Sequence, residues 1–88
     1  MDRVQAIRER IKHDLGTELI EIIDESHLHI GHAGAAAGGG HFAVKVISDK
    51  FSNRSILERH RMIYQAVDDL MPSEIHALSI QAFTSEEQ

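Results

Sequence analysis

Seven histidines and no cysteine stand among the 88 residues of this chain. Imidazole is a borderline ligand suited to iron and zinc. His27, His29 and His32 form a His-x-His-x-x-His cluster, His41 lies beyond a glycine-rich run, and His76 opens a later apolar stretch. A chain without a thiolate cannot supply an all-cysteine metal site. Protonation of a ligating histidine competes with the metal, so such a site weakens as pH falls. The competing reading is plain: a lone histidine at a strand start can hydrogen-bond a backbone group, and a loop cluster can take up zinc or nickel adventitiously. His13 and His60 fall within helical patterns and read as surface or packing residues.

A second chemistry is cationic. The formal net charge is −5, which argues against charge-driven nucleic-acid binding by the whole surface. Yet Lys45, Lys50, Arg54, Arg59 and Arg61 face only Asp49 and Glu58 over the same stretch. Lys50, Arg54, Arg59 and Arg61 are therefore candidate phosphate contacts, beside a helix start at Ser55 that would favour anions. The alternative is that Arg59 and Arg61 pair with acids or bury their stems on a sheet. Catalytic signatures are missing: there is no cysteine nucleophile, nucleophile elbow, phosphate loop or dinucleotide fingerprint. Asp24-Glu25 and Asp68-Asp69 are adjacent carboxylates that read as solvated. The expectation is a protein that is not an enzyme.

These residues need elements to position them. The length predicts one domain over 1–88 with a modest core. Val4, Ile7, Ile11 and Leu15 predict a helix over 2–15, capped by Asp2 and closed by Gly16. Leu19 to Ile23 predict a strand over 18–25. The Gly/Ala-rich run 31–40 reads as a mobile loop. A second strand over 41–48 places Phe42, Val44 and Val46 on one face and His41, Ala43 and Lys45 on the other. Ser55 and Glu58 match a capping box, and helical periodicity runs from Ile56 to Leu70 before Pro72 stops it, as one helix or two. A third strand over 75–83 aligns His76, Leu78, Ile80 and Ala82 on one face. Residues 84–88 should fray. The fold class is α/β (α+β): a three-stranded mixed sheet with helices on one face, its first two strands antiparallel and its last two parallel through a right-handed crossover. The lack of cysteine, of an apolar leader after Met1 and of a membrane-length apolar run gives a cytoplasmic expectation, with no membrane contact.

The segment Asp49-Lys50-Phe51-Ser52-Asn53-Arg54-Ser55-Ile56-Leu57-Glu58-Arg59-His60-Arg61-Met62-Ile63-Tyr64 resembles the BolA signature, with its basic-Phe pair, turn and helical Arg-His-Arg. Ile75-His76-Ala77-Leu78-Ser79-Ile80 is similar to that family's last strand, and Asp24-Glu25-Ser26 and His41-Phe42 to its other landmarks. The resemblance runs over residues 3–83. Asn53 departs from the usual glycine, and asparagine tolerates the left-handed turn next best.

The resemblance implies an α-β-β-α-α-β, class II KH-like fold. KH domains grip backbone with a Gly-x-x-Gly loop between helices; Gly31-His32-Ala33-Gly34 has that spelling but lies between strands, so it counts as chance. The resemblance further implies an adaptor whose partner is a monothiol glutaredoxin. A [2Fe-2S] cluster would be shared with glutaredoxin and glutathione, and none would be held by the isolated chain, a monomer or weak homodimer. It places one ligand at His76 and the second in the loop, at His29, with His32 and His41 as alternatives. It also implies a runner-up, a DNA-binding transcriptional regulator of morphology or stress genes working through Arg54–Arg61. The same basic patch could meet a glutaredoxin's glutathione-bearing face. A third class is an interaction module whose histidines bind nothing.

Overall fold

The computed structural model of the chain describes residues 2–26 and 39–88. Helix α1 spans Arg3–Leu15. Its start is fixed by the Asp2 carboxylate, which accepts the Gln5 N–H at 3.1 Å. It ends at Gly16, whose φ of 62° lets its N–H close on the Lys12 carbonyl. Ile7, Ile11 and Leu15, spaced one turn apart, are buried.

Strand β1 spans Ile20–Asp24, strand β2 Gly40–Ile47 and strand β3 Ile75–Phe83. The sheet order is β1-β2-β3, with β2 antiparallel to β1 and parallel to β3. The central strand alternates as its sequence dictates: Phe42, Val44 and Val46 are buried, and His41, Ala43 and Lys45 lie on the opposite face. The buried face joins Ile7, Ile11 and Leu15 of α1, and Ile63 and Ala66 of the second helix, in one cluster.

After β2 the chain makes a 3-10 turn, Asp49–Phe51, that buries Phe51. Asn53 then takes φ 62°, the left-handed conformation expected of it. Helix α2 spans Ile56–Ala66 and opens with the capping box: Ser55 Oγ accepts the Glu58 N–H and the Glu58 carboxylate accepts the Ser55 N–H. The Ser55 N–H also holds the Glu58 carboxyl below its ordinary value. The periodicity through Leu70 ends in a three-residue 3-10 turn, Asp68–Leu70, in place of a second α-helix. Too few residues remain before Pro72 for another α-helical turn to propagate. Asp69, expected in solvent, meets Arg10 at 2.9 Å, and Arg3 meets Glu74 at 2.9 Å. These pairs tie α1 to the approach of β3.

The tail 84–88, expected to fray, has two points of attachment. Thr84 is buried, and its N–H donates to Glu87 Oε1 at 2.8 Å. Glu87 is gripped from below by Arg59 of α2, Nη1 to Oε1 at 2.6 Å and Nη2 to Oε2 at 2.9 Å. Arg59 also donates to the carbonyls of Arg54 and Ala82 and lies over the Phe51 ring, 5.9 Å from its centroid. A bidentate fork satisfied on every side is the geometry that makes an arginine pair specific. It joins α2, the 49–54 turn, β3 and the tail.

Two predictions follow from the fold. Asn53→Gly should leave stability nearly unchanged, and Asn53→Val should cost about 1–2 kcal/mol, because a β-branched residue pays the full left-handed penalty; urea unfolding of both variants checks it, and equal midpoints for Asn53→Val and wild type would refute the turn's role. The second concerns acid. The Arg59 fork, then the Thr84 N–H, lowers the Glu87 carboxyl from its ordinary 4.5 to about 2. A depressed carboxyl stabilises the fold above its unfolded value and loses that contribution as pH falls through its folded value. Stability should therefore fall between pH 4.5 and about 2 more steeply in wild type than in Glu87→Gln, with the variant weaker at neutral pH. Parallel pH profiles would show that the clamp contributes nothing.

Candidate functional site

The candidate ligand His76 stands where β3 begins, and a register break displays it. Gly40 pairs with Ile75, but the next β2 residue, His41, pairs with Ala77. One step along β2 thus matches two along β3, and His76 is the extra residue of a bulge. Ile75 and Leu78 are both buried, three positions apart, while His76 is exposed. The expected face of His76, Leu78, Ile80 and Ala82 is corrected at its first member. Leu78 joins the core and Ile80 and Ala82 pack against it, but the bulge turns the imidazole out.

Gly39 lies directly against this residue. A Cβ at Gly39 would come within 2.8 Å of both the His76 Cβ and the Pro72 carbonyl oxygen. No side chain fits between them. At Gly40 a Cβ would come within 2.6 Å of Ser26 Oγ, which accepts the His41 N–H at 3.1 Å. Ser26 and Gly39 are the last and first described residues on either side of 27–38. The segment that carries His27, His29 and His32 therefore leaves and returns at the His76 end of the sheet. Those three histidines, and most of the glycine-rich run, lie outside the described residues.

His41 is on the sheet face away from the helices. Its Nε2 lies 3.4 Å from Ser79 Oγ and 3.8 Å from Glu25 Oε1. Its strand partner Ala77 adjoins His76, so His41 and His76 occupy neighbouring strands at one end of the sheet. Among the described residues no group of three His, Cys, Asp or Glu side chains is arranged to hold a metal ion. With no cysteine anywhere in the chain, the donor set fits only the imidazole side of a mixed-ligand cluster. His13 pairs with its neighbour Asp14, and His60 is half-buried on α2. A groove of about 620 Å³ lined by Arg8, Glu21, Ile23, Lys45, Ser79 and Gln81 includes none of the candidate histidines.

The basic candidates divide. Arg59 is 8 % exposed, and its donors are engaged by Glu87 and two carbonyls. Its guanidinium is not offered to an outside phosphate. Lys50 Nζ donates to the Asp14 carbonyl at 3.1 Å, Arg54 lies 3.6 Å from Glu58, and Arg61 is exposed. These three keep charge at the surface. The α2 N-terminus is already filled by its own capping box. Sequence reasoning did not find Glu87: its separation from Arg59 leaves no local pattern.

Comparison with known proteins matches this architecture. The family model described as BolA-like protein matches residues 11–87. SufE-like protein 1 of Arabidopsis thaliana is 38% identical over 90 residues, covering 97% of this chain and 24% of that protein, so the chain spans about a quarter of its length. The DNA-binding transcriptional regulator BolA of Escherichia coli (strain K12) is 36% identical over 85 residues, covering 92% of this chain and 78% of the relative. The solved BolA domain of SufE1 from Arabidopsis thaliana superposes with a TM-score of 0.85 at 37% identity, over 100% of this chain and 98% of that one. The bulged third strand, the turn at Asn53 and the capped helix thus sit in a fold and a sequence pattern of one kind, and the chain belongs to the BolA-like protein family.

Proposed function

We propose that the chain is a BolA-type adaptor that binds a monothiol glutaredoxin and lends histidine ligands to a shared [2Fe-2S] cluster. The observation that carries this reading is the close approach of Gly39 to His76. It brings the ends of the histidine-bearing segment to an exposed imidazole. His76 is one ligand and His29 the other, with His32 and His41 as the alternatives. The thiolates would come from the glutaredoxin and from glutathione, so the isolated chain by itself would hold no cluster. When bound, the cluster supplies a one-electron couple and a transferable iron–sulfur unit. His76 would provide a ring nitrogen from an exposed position at the start of β3, and His41, with Nε2 3.4 Å from Ser79 Oγ, lies on the neighbouring strand. The role is cytoplasmic iron–sulfur trafficking or iron and redox regulation. Among the described residues no helix is long and apolar enough to cross a membrane.

A second reading rests on the Escherichia coli relative, the DNA-binding transcriptional regulator BolA. Lys50, Arg54 and Arg61 would then contact phosphates, with Arg59 holding the turn and helix in place. Lys50→Ala and Arg61→Ala should weaken binding and flatten its salt dependence without removing sequence preference.

The deciding measurement is a visible absorption and circular dichroism spectrum of the chain mixed anaerobically with cluster-loaded glutaredoxin and glutathione. Wild type should give a new spectrum, and His76→Ala should leave that of the glutaredoxin alone. His29→Ala, His32→Ala and His41→Ala then identify the second ligand. The wild-type signal should weaken on acidification, because protons compete with the metal for a ligating imidazole. A glutaredoxin spectrum unchanged by wild type would sink shared ligation and leave the DNA reading to be tested by titration with duplex at physiological salt.

A further inference from the structure

The outer edge of β1 is unlike the outer edge of β3. On β3 the carbonyl of Leu78 accepts the Tyr64 hydroxyl at 3.2 Å and that of Ala82 accepts Arg59 Nη1 at 3.1 Å. Helix α2 thus fences that edge. On β1, Ile47 N–H donates to the Leu19 carbonyl and Glu25 N–H to the His41 carbonyl. The odd positions therefore bond to β2, and the even positions 20 and 22 direct their backbone groups outward. At Ile20 both groups are taken: the N–H donates to the Glu18 carbonyl at 2.9 Å and the carbonyl accepts Arg8 Nη1 at 2.6 Å. Beyond it the Ile22 N–H and C=O point away from the sheet, and among the described residues no strand pairs with this edge.

The side chains of the odd positions line the sheet face away from the helices. They read Glu21, Ile23, Glu25: acid, apolar, acid at a spacing of two. Ile23 is 61% exposed. The inner side of β1 already shows what this pattern pairs with. Its β2 partners are Lys45 opposite Glu21 and Ala43 opposite Ile23, with His41 near Glu25. Lys45 Nζ lies 3.8 Å from Glu21 and His41 Nε2 3.8 Å from Glu25. The fold reads β1 from one side with a basic-x-small-x-basic strand.

We propose that the outer edge of β1 is a docking site for an extended polypeptide segment of the pattern basic-x-apolar-x-basic, added antiparallel in the register that β2 uses on the inner edge. The backbone contact is made at Ile22, whose N–H and C=O both face outward. Ile23 then falls at the non-hydrogen-bonded position, where facing side chains come closest, and meets the partner's apolar residue. Glu21 and Glu25 meet its basic residues. A second copy of this chain is the wrong occupant: with Ile23 opposite Ile23 across a two-fold axis, Glu21 faces Glu25 of the other copy on both sides. Charges on a short edge strand commonly guard against such self-pairing, and here the same charges select a basic guest. This site shares Glu25 with the surroundings of His41 and is otherwise separate from His76 and from the surface cations of the 50–61 segment.

The test is fluorescence anisotropy of the full chain titrated with two labelled peptides, Thr-Lys-Val-Ile-Val-Lys-Thr and its Glu-for-Lys counterpart, with amide chemical shifts followed in parallel. The basic peptide should bind at least several-fold more tightly than the acidic one and shift the amides of residues 20–25. Ile23→Lys, an exposed change that leaves the core intact, should weaken it several-fold, and so should Glu21→Lys. Ile22→Pro should block it by removing the outward N–H at an edge position that tolerates proline; circular dichroism confirms that each variant is folded. Equal affinity for both peptides, shifts confined to the 50–61 surface, or self-association of the chain through β1 would each overturn the proposal.

Discussion

The register of β2 against its two neighbours is the constraint from which the other features descend. Side chains on a strand alternate, so a slip of one residue would turn the whole buried set outward. Phe42, Val44 and Val46 are almost completely removed from water, and burial of that size fixes the register. Once it is fixed, the opposite face is fixed too: Lys45 must stand across from Glu21 and Ala43 across from Ile23. The parallel edge follows by the same rule down to His41 and Ala77, where the count changes by one. That extra residue lets both Ile75 and Leu78 reach the core. The cost of the broken ladder is met at an edge strand, where one unpaired position is tolerated, and the displaced side chain is the imidazole of His76.

Two arginines two positions apart on α2 show how burial decides what a cation can do. Arg61 is exposed and keeps a charge that a distant anion would feel. Arg59 surrounds its guanidinium with a carboxylate, two carbonyls and the Phe51 ring. Its field is largely cancelled by Glu87, and freeing it would leave that carboxylate and the tail without a partner. The Arg-His-Arg run therefore holds one structural residue and one surface residue, a distinction invisible to charge counting.

What was legible in the sequence was local. The Asp2 cap, the Gly16 stop, the Ser55–Glu58 box and the left-handed Asn53 each depend on residues within four positions, and each is present. The alternation of β2 was legible because one face is wholly buried. What was hidden needed two distant segments at once. The bulge at His76 exists only in the pairing of β3 with β2, so strict alternation along β3 misassigned the histidine's face. The Arg59–Glu87 clamp joins α2 to the tail, and a short polar terminus carries no local sign of it. The candidate ligands were named by the resemblance, not by spacing. The structure brings His41 to the His76 end, while His27, His29 and His32 lie outside the described residues.

The direction of β2 also separates the two chemistries that the sequence placed in one chain. Gly40 at its start lies beside His76, and its end at Ile47 leads into the turn that carries Lys50 and Arg54. A strand rises about 3.3 Å per residue, so seven steps put the two ends of β2 roughly 23 Å apart. The patch at Lys50 and Arg54 is therefore poorly placed to meet the glutathione of a partner whose cluster is ligated at His76. The substitutions that test the two readings at His76 and at Lys50 therefore lie at opposite ends of β2.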